Sequence, residues 1–522
     1  MEQGRRIGSL LEGKSGFKVV IEAIRSCRSH NGAATTDEIV EGVSAQLGVP
    51  VGRVAAIVAG FESVTAYGLS SLADEVDALQ EEEHALAVSR QALVPVFESG
   101  LQERINKIEA TSSAPLCGHP LCGATMGSKG QRTRGWQSAL GPITLRRRWS
   151  VCSESGHGPG RSVAQEQLLL PAGRYTAGLS ESLTILATTV PHGMACQLAS
   201  RLLETEVSEH SMQDQVHDRA KPLMAADEAE AEELNPFEDN GLEREVPPPS
   251  DPVSDVPEVA YVEVDGVFAM TRQLDEERST PVPNARGGKG RGYILEGKEV
   301  KNAVLYTADA CAEESPSRGC LIEKRYISML GTWTSFALLL WVAIRRLRFD
   351  QAKVLVVLSD GARWIRELAQ WLPCSPQVLL ILDLYHAIHR VYEVASAVFG
   401  DIPEGRQWRH QQKLDIKLGR VEHVINRLRF LKPSGADASK KVAELITYFE
   451  NNQDRMDYPQ YRRRGLRIST AAVESANYQV TGARLKAQGM RWEKEGAADM
   501  ARRRADLFNG TWQARTRQAL AA

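Results

Sequence analysis

Three apolar segments of this sequence, each typical of a buried strand, run directly into an acidic residue. These acids are Asp265, Asp360 and Asp383. A carboxylate at the end of a buried strand has a rigid support and reaches the margin of the sheet, which suits Mg²⁺, because this ion binds few carboxylates in fixed geometry. Two such ions, roughly 3.5–4 Å apart, can activate an attacking oxygen and stabilise a leaving one. Taken singly, an Asp-Gly step, as at Asp265 and Asp360, is also the ordinary sequence of a turn.

A third acid from a helix would complete such a site, and Glu474 is the candidate. It lies among small and apolar residues at 471–477, so its side chain faces either the core or a site. Asp383 is followed by His386 and, one helical turn later, by His389 and Arg390. These positions share a helix face, where they could grip a phosphate or orient a leaving group. The alternative interpretation is an Asp-capped helix N-terminus with surface histidines.

Four blocks of the sequence resemble bacterial insertion-sequence transposases of the ISKra group, which are DDE transposases distantly related to the Mutator elements. The blocks are residues 264–267 with 297–301, residues 359–365, residues 382–387, and residues 473–477 with 483–486 and 489–492. The resemblance covers residues 259 to 512 well and the first half of the chain only in its cysteine-containing region. As a set the blocks are specific, whereas any one of them alone is not.

The resemblance implies an RNase H-like core whose triad, Asp265, Asp360 and Glu474, binds two Mg²⁺ (or Mn²⁺) ions. It implies that Asp383 and His386 form an accessory Asp-x-x-His motif beside the active site. The sequence departs from the family at residues 468–471, where a Gly is usual before the acid block, and this affects the local turn.

The function implied is that of a DNA transposase, which binds terminal inverted repeats and catalyses strand cleavage and strand transfer by a two-metal mechanism. The partners are then double-stranded DNA, as element ends and target, and a second copy of the chain, since two ends must be joined. Two alternatives stay open: an RNase H-like nuclease without strand transfer, and a non-catalytic DNA-binding protein derived from a transposase.

Of the eight cysteines in the sequence, three are grouped in a Gly- and Arg-rich region. This usage favours a reducing compartment and metal binding over a disulfide framework. The resemblance implies a zinc ribbon here, with substitutions at two of the usual ligand positions. The candidate Zn²⁺ ligands are Cys117, His119, Cys122, Cys152 and His157. Either Cys117 or His119 could join the other three in a tetrahedral site, and a ribbon that has lost its metal is the alternative.

The formal net charge of −3 conceals a strong asymmetry. Residues 221–260 carry twelve Asp/Glu against two Lys/Arg, whereas the last 62 residues carry thirteen Lys/Arg against five Asp/Glu. Runs of arginine often form a solvated face, but beside a nuclease-like acid they favour phosphate binding. The candidate DNA contacts are Arg53, Arg462, Arg463, Arg464, Arg484, Lys486, Arg491 and Trp492, with a further run at 502–504.

The order of predicted elements over 259–383 is β-β-β-α-β-α-β, which indicates a mixed sheet with helices on its faces. We therefore predict a multidomain α/β protein. Its regions are a helical part at 1–112, a zinc-ribbon-like part at 113–162, a helical part at 163–225, an acidic, Pro-rich disordered linker at 226–258, the catalytic core at 259–400, a helical insertion at 401–462, and a C-terminal helical part of the core at 463–522 that carries Glu474.

Within the first region, helices at 36–47 and 52–61 flank a Gly-containing turn, as in a helix-turn-helix DNA reader. Thr36 is the predicted N-cap, and Arg53 is the one basic residue of the second helix. An ordinary helical hairpin has the same pattern.

In the cysteine region, strands at 136–140 and 143–149 flank Gly141 and Pro142 as in a β-hairpin. No start segment has the form of a signal peptide and no apolar run could span a bilayer, so we predict a cytoplasmic, nucleoid-associated protein of a bacterium that has no membrane partner.

Overall fold

The computed structural model describes residues 35–70, 78–154, 156–238, 241–249, 252–275, 282–283, 289–290, 292–315, 318–373 and 377–521. The chain divides into two compact units: the first is Met1–Leu183 with Ala199–Thr205, and the second is Thr184–Leu198 with Glu206–Ala522. The predictions for residues 1–34 lie outside the described residues. No helix in the described ranges is long and apolar enough to cross a membrane.

The first unit begins with three helices: α1 Thr36–Leu47, α2 Val51–Ser70 and α3 Ala78–Thr111. The predicted N-cap Thr36 is wrong by one residue. The cap is Thr35, because its side chain accepts the backbone N–H of Glu38 while the Glu38 carboxylate accepts the N–H of Thr35. Helices α1 and α2 pack through Val43, Val54 and neighbouring apolar residues. The second helix continues well beyond residue 61, where the sequence predicts its end.

A β-hairpin follows, with strands β1 Gly127–Ser138 and β2 Gly141–Val151. Ser138 pairs with Gly141, so the connecting residues are 139 and 140. The predicted turn at Gly141 and Pro142 is therefore wrong by two residues, although the hairpin itself is confirmed. One face of the hairpin is apolar and packs on α3, where Ile105 meets Trp136 and Leu145. The short helix α4 Val163–Gln167 contributes to the same core.

Three further helices are α5 Ala177–Thr189, α6 His192–Leu203 and α7 Glu209–Glu233. Helix α7 corrects the prediction of a disordered linker from residue 226. A buried stripe along it includes Asp227, which is neutralised by Arg502 and Arg515 of the same unit. The indole N–H of Trp341 donates to the carbonyl of Leu234 at 3.1 Å, so the chain after the helix is also held. The acidic composition alone suggested disorder, because it does not reveal that Asp227 pairs with arginines from a distant segment.

The second unit is built on a mixed sheet in the order β11-β10-β3-β6-β9. Its strands are β3 Val259–Leu274, β6 Tyr293–Thr307, β9 Arg325–Leu330, β10 Val354–Ser359 and β11 Gln377–Leu382. Strands β3, β10 and β11 are parallel, and β6 is antiparallel to both β3 and β9. The predicted mixed sheet and element order are confirmed. Small strand pairs outside this sheet are β4 Val282–Pro283 with β5 Lys289–Gly290, and β7 Cys311–Ser315 with β8 Arg318–Leu321.

Helices cover both faces of this sheet, which is why its strands are apolar on both sides. Val262 and Val264 of β3 pack on one face against α8 Trp333–Arg346 and α9 Arg363–Trp371. Tyr261 of β3 and Leu358 of β10 pack on the opposite face. Because side chains alternate along a strand, Asp265 and Asp360 point toward this second face.

The second face is covered by helices from the rest of the chain. Those that contribute to its core are α10 Leu384–Phe399, α11 Pro403–Lys417, α12 Val421–Phe430, α13 Ala436–Asn452, α14 Tyr458–Arg463, α15 Ala471–Ala476 and α17 Lys494–Phe508, with a π-helix at Asn477–Gly482 after α15. The remaining helices of this part of the chain are α16 Ala483–Leu485 and α18 Trp512–Ala521. Ile416, Val424 and Phe449 belong to the same core cluster as Tyr261. The predicted insertion at 401–462 is thus helical, and it packs into the core of the sheet.

Candidate functional site

Three aspartates lie side by side across the sheet. The register pairs Leu358 of β10 with Glu263 of β3, and Ser359 with Leu382 of β11. Asp360 lies two residues beyond Leu358 and one beyond Ser359, so extension of the same register places it between Asp265 and Asp383. The prediction that each acid ends its strand is wrong for Asp265, because β3 continues to Leu274 through its pairing with β6.

Asp265 is held by a chain of uncharged side chains. Its carboxylate accepts the backbone N–H of Gly266 at 2.8 Å and the side-chain amide of Asn477 at 2.6 Å. The Asn302 amide donates to the Asn477 oxygen at 2.7 Å, and the Thr481 hydroxyl donates to Asn302 at 3.0 Å. Burial, and then the negative charge of Asp360, raise the pKa of Asp265 to about 6. The carboxylate is thus oriented without a cationic side chain among its hydrogen-bond donors.

Asp360 lies in a turn that requires the following glycine. Its carboxylate accepts the N–H of Ala362 at 2.9 Å, and the Tyr448 hydroxyl donates to its carbonyl at 2.7 Å. Gly361 has φ +96°, and a Cβ there would lie 2.8 Å from Leu382 and 2.9 Å from Tyr448. The Asp-Gly step therefore forms a turn and also lets α13 approach the acid.

Asp383 is a buried cap that joins two helices. Its Oδ1 accepts the backbone N–H of His386 at 2.6 Å, and its Oδ2 accepts the Thr470 hydroxyl at 2.7 Å. Thr470 immediately precedes α15, which carries Glu474. The interpretation of Asp383 as a helix cap is confirmed, and the same contacts place His386 and Glu474 next to each other.

Glu474 is exposed, and its Oε1 lies 3.6 Å from Nε2 of His386. Asp383, His386 and Glu474 each offer a ligand atom within 4.8 Å of the others. The predicted triad of Asp265, Asp360 and Glu474 is not one of the groups of described residues whose ligand atoms all lie within 4.8 Å of one another. The structure thus brings the accessory motif to Glu474 and places the two strand aspartates beside each other.

Glu263 is a part of this region that the sequence reasoning missed. It is buried, accepts the hydroxyl of Tyr306 and the backbone N–H of Val473, and so connects the sheet to the first turn of α15. Burial raises the pKa of Glu263 to about 7. The signal in the sequence was an acid inside an otherwise apolar strand, two residues before Asp265.

Four of the predicted zinc ligands come together in the first unit. Cys117, Cys122, Cys152 and His157 each offer a ligand atom within 4.8 Å of the others. The sulfurs of Cys122 and Cys152 are 3.8 Å apart, and Nδ1 of His157 is 3.6 Å from the Cys152 sulfur. His119 stacks on the ring of His157 and is not in this group. The backbone N–H of His119 is the main cause that lowers the pKa of Cys117, which favours the thiolate that a metal needs.

The predicted DNA contacts separate into exposed and buried residues. The exposed ones are Arg462, Arg463, Arg464, Lys486 and Arg491. Arg53 is also exposed and forms an ion pair with Glu103 at 2.9 Å.

Arg484 and Trp492 are buried, with the guanidinium 4.7 Å from the indole centroid and bonded to the carbonyl of Ala187. The run at 502–504 is likewise largely buried and bonded within the unit. Burial and internal hydrogen bonds set these residues apart from the exposed arginines, and their contact with DNA stays a prediction.

Comparison with known proteins gives one result for the second unit. Residues 296–519 match the model of an uncharacterised protein family, UPF0236. The matched segment contains Asp360, Asp383, His386 and Glu474, and it begins after Asp265. The search of curated proteins finds no match.

Proposed function

We propose that this protein is a DDE transposase of an insertion sequence, with an RNase H-like catalytic core in its second unit. The observation that carries the proposal is the proximity of Asp265 on β3 to Asp360, which directly follows the neighbouring parallel strand β10, beside a helix that presents Glu474. The β-β-β-α-β-α-β order of the mixed sheet supports the RNase H-like assignment, since the family resemblance implies that fold.

The acids suit a divalent cation. Their donor atoms are carboxylate oxygens, which Mg²⁺ and Mn²⁺ prefer. The mutual repulsion that contributes to the raised pKa of Asp265 is what a cation bound nearby would relieve. Asp265, Asp360 and Glu474 would hold the ions, which when bound supply Lewis acidity to a phosphodiester and lower the pKa of an attacking hydroxyl or water.

The surrounding residues position these acids. Asn477 holds one oxygen of Asp265 and leaves the remaining lone pairs for a ligand. Asp383 ties the start of α10 to the residue before α15, and so fixes His386 against Glu474. His386 can therefore orient the Glu474 carboxylate or accept a proton from a substrate oxygen.

Exposed arginines at the end of α14 support binding of a polyanionic substrate. Arg462, Arg463 and Arg464 lie a short distance in sequence before Glu474 and have exposed side chains. Cations in such a position neutralise phosphates, which is the main sequence-independent contribution to DNA affinity. The substrates proposed are the terminal inverted repeats of the element and a target duplex, joined by a homodimer.

The test is strand cleavage by the purified protein on DNA that carries the native element ends, with Mg²⁺ and with products mapped on both strands. Asp265→Asn and Glu474→Gln should abolish cleavage and leave DNA binding intact. Asp437→Asn and Glu444→Gln, which change exposed acids of α13 in the same isosteric way, are the matched controls. Undiminished cleavage by either active-site variant would remove that acid from the site.

The products separate the remaining alternatives. Joined element and target strands support transposition, whereas cleavage without joining supports an RNase H-like nuclease. Binding without cleavage by the unsubstituted protein supports a non-catalytic DNA-binding role.

We also propose that the cysteine cluster holds a structural Zn²⁺ ion. Three thiols and one imidazole form a ligand set typical of closed zinc sites. All four converge in the fold, and two of the three cysteines flank the hairpin in sequence. Metal analysis of the purified protein should give one zinc per chain, and a protein free of transition metal would contradict the assignment.

A further inference from the structure

The β-hairpin of the first unit carries a concentration of positive charge. Between Gly127 and Val151 there are six Lys/Arg and no Asp/Glu. The cations are Lys129, Arg132, Arg134, Arg146, Arg147 and Arg148. Of these, Lys129, Arg132, Arg146 and Arg148 are exposed. None of the six forms an ion pair within the part of the chain that the structure describes, so the fold itself does not neutralise this charge.

On the inner face, three guanidiniums alternate with two indoles. The guanidinium carbon of Arg147 lies 5.1 Å from the centroid of Trp149 and 5.4 Å from that of Trp136. Arg132 lies 5.4 Å from Trp149 at one end, and Arg134 lies 5.3 Å from Trp136 at the other. The stack favours each cation–ring contact but keeps three like charges close together, a repulsion that a bound polyanion would relieve.

Nearby acids are already used elsewhere. Glu109 of α3 accepts the backbone N–H of Arg148 and, at 2.8 Å, the side-chain amide of Gln131. Glu98 of the same helix accepts the backbone N–H of Thr144 at 2.7 Å. These contacts fasten the outer edge of β2 to α3 and leave the guanidiniums of Arg146 and Arg148 unpaired. These bonds hold β2 against α3, and the exposed guanidiniums of Arg146 and Arg148 lie on the outward face.

The outward face and the first part of the β1 edge are open, whereas the end of that edge is bonded at Gln137 to Arg174 and Thr176. The first seven residues of β1 are all exposed, and the 127–151 segment contributes no exposed large hydrophobic side chain. The outward face pairs Thr133 with Arg146 and Gln131 with Arg148 across the strands. Such a surface offers charge and hydrogen-bond donors but little apolar area, which disfavours a protein partner.

We propose that this hairpin is a binding surface for the phosphate backbone of double-stranded DNA. A two-stranded antiparallel ribbon fits the major groove of B-DNA in width. Arg146 and Arg148, two residues apart on a strand, are separated by about 6.8 Å. This is about twice the 3.4 Å axial spacing of phosphates along one strand. The cysteine cluster lies at the open end of the hairpin, where Cys122 precedes β1 and Cys152 follows β2.

The experiment measures binding of a fluorescent DNA duplex of scrambled sequence by anisotropy, with zinc present and magnesium absent, over a series of sodium chloride concentrations. The full chain with Glu474→Gln is used, so that the proposed cleavage does not interfere. The added changes are Arg132→Gln, Arg146→Gln and Arg148→Gln together. We expect affinity about 10–100-fold weaker and a salt slope smaller by about 2–3.

The matched control removes three cations of the same unit that already have acidic partners. These are Arg90→Gln, Lys107→Gln and Arg201→Gln, whose partners are Glu204, Glu103 and Glu83. The control should change affinity less than about twofold, since a cation already neutralised by an acid releases few counterions from DNA. Equal melting temperature and zinc content in both proteins would show that the hairpin variant is folded.

Three results would overturn the proposal: an unchanged salt slope in the hairpin variant, an equal loss in the control, or tighter binding of an RNA duplex than of DNA by the parent protein. The surface does not depend on the active-site acids. Binding by the hairpin without any cleavage by the unsubstituted chain would contradict the transposase proposal alone. Cleavage together with an unaffected hairpin variant would contradict the hairpin proposal alone.

Discussion

The two groups of candidate metal ligands described above differ in how their ligand atoms are used. Cys117, Cys122, Cys152 and His157 face one another, and each has a neighbouring ligand atom within reach. In contrast, Asp265 accepts one hydrogen bond on each carboxylate oxygen and Asp360 accepts one on Oδ1, so lone pairs remain for a ligand. A closed set of soft ligands is typical of structural sites, and an incompletely filled set of hard ligands is typical of catalysis.

The support of the two clusters differs as well. The cysteine cluster joins chain segments that flank a hairpin in the smaller unit, where the apolar core around Ile105 is small. The acids lie on a sheet buried on both faces, next to Glu263, Asn302 and Asn477. We infer that a metal stabilises the fold at the first cluster, whereas the fold positions the metal at the second.

The largest effect is expected when the cysteine cluster loses its metal, and this tests whether the metal stabilises the fold there. Cys152→Ser should abolish zinc binding and unfold the hairpin, because binding free energy at a structural zinc site is also folding free energy. Hydrogen exchange should rise at 127–151 and stay unchanged at 354–382. Cys196→Ser, at a free cysteine outside the cluster, is the control. Unchanged exchange in the Cys152 variant would mean that the hairpin is stable by packing alone.

The next effect concerns the support under the acids. Glu263→Ala should lower the free energy of unfolding of the second unit by about 2–4 kcal/mol, since it leaves the N–H of Val473 and the hydroxyl of Tyr306 buried without their acceptor. Glu263→Gln should cost less, because a neutral amide keeps one acceptor. Denaturant unfolding measures both, and Glu258→Ala, an exposed acid on the same chain segment, is the control. Equal stability of all three would show that this bond does not hold α15.

A smaller effect is expected at the amide that orients Asp265. Asn477→Ala should weaken Mg²⁺ binding and cleavage by about 10–100-fold, which is usual when a residue supporting a metal ligand is removed. Magnesium titration of the cleavage rate gives the apparent affinity. Asn451→Ala, at an exposed asparagine of α13, provides the comparison. A lower rate with unchanged magnesium dependence would place Asn477 outside the metal site.

The smallest effect is a pH dependence confined to the second unit. Burial, with Arg484 nearby, lowers the pKa of His192 to about 4, below its ordinary value of 6.5. The unfolded chain therefore binds the proton first, so stability falls as pH drops below 6.5 and levels off below about 4. At pH 5 the loss is on the order of 1–2 kcal/mol. His192→Gln should be less sensitive over this window in thermal unfolding, and parallel curves for both proteins would exclude His192 as the cause.

Local sequence was sufficient for much of the fold. Apolar segments at 259–264, 354–358 and 378–382 predicted the strands, because a strand buried on both faces has no polar side. Asp360 and Asp383 were placed at strand ends for the same reason. The N-cap at Thr35 was missed by one residue, since two adjacent threonines offer the same side chain and only the bond to Glu38 distinguishes them.

Tertiary structure decided which charges are free. Arg484 and Arg504 belong to a basic C-terminal segment whose composition suggests DNA binding. Both are buried and donate to carbonyl groups far away in sequence. Asp227 belongs to an acidic stretch that suggests disorder, yet it neutralises Arg502. Burial and pairing depend on contacts between distant segments, so composition assigns neither.

The sequence by itself determined the types of ligand and the strand positions, because these follow from side-chain chemistry and a period of two residues. Only the tertiary structure decided that Cys117 rather than His119 joins the other thiols, that Asp265 lies within a long strand, and that Glu263 supports α15. Each of these depends on the register or distance between segments far apart in the chain, which no local pattern encodes.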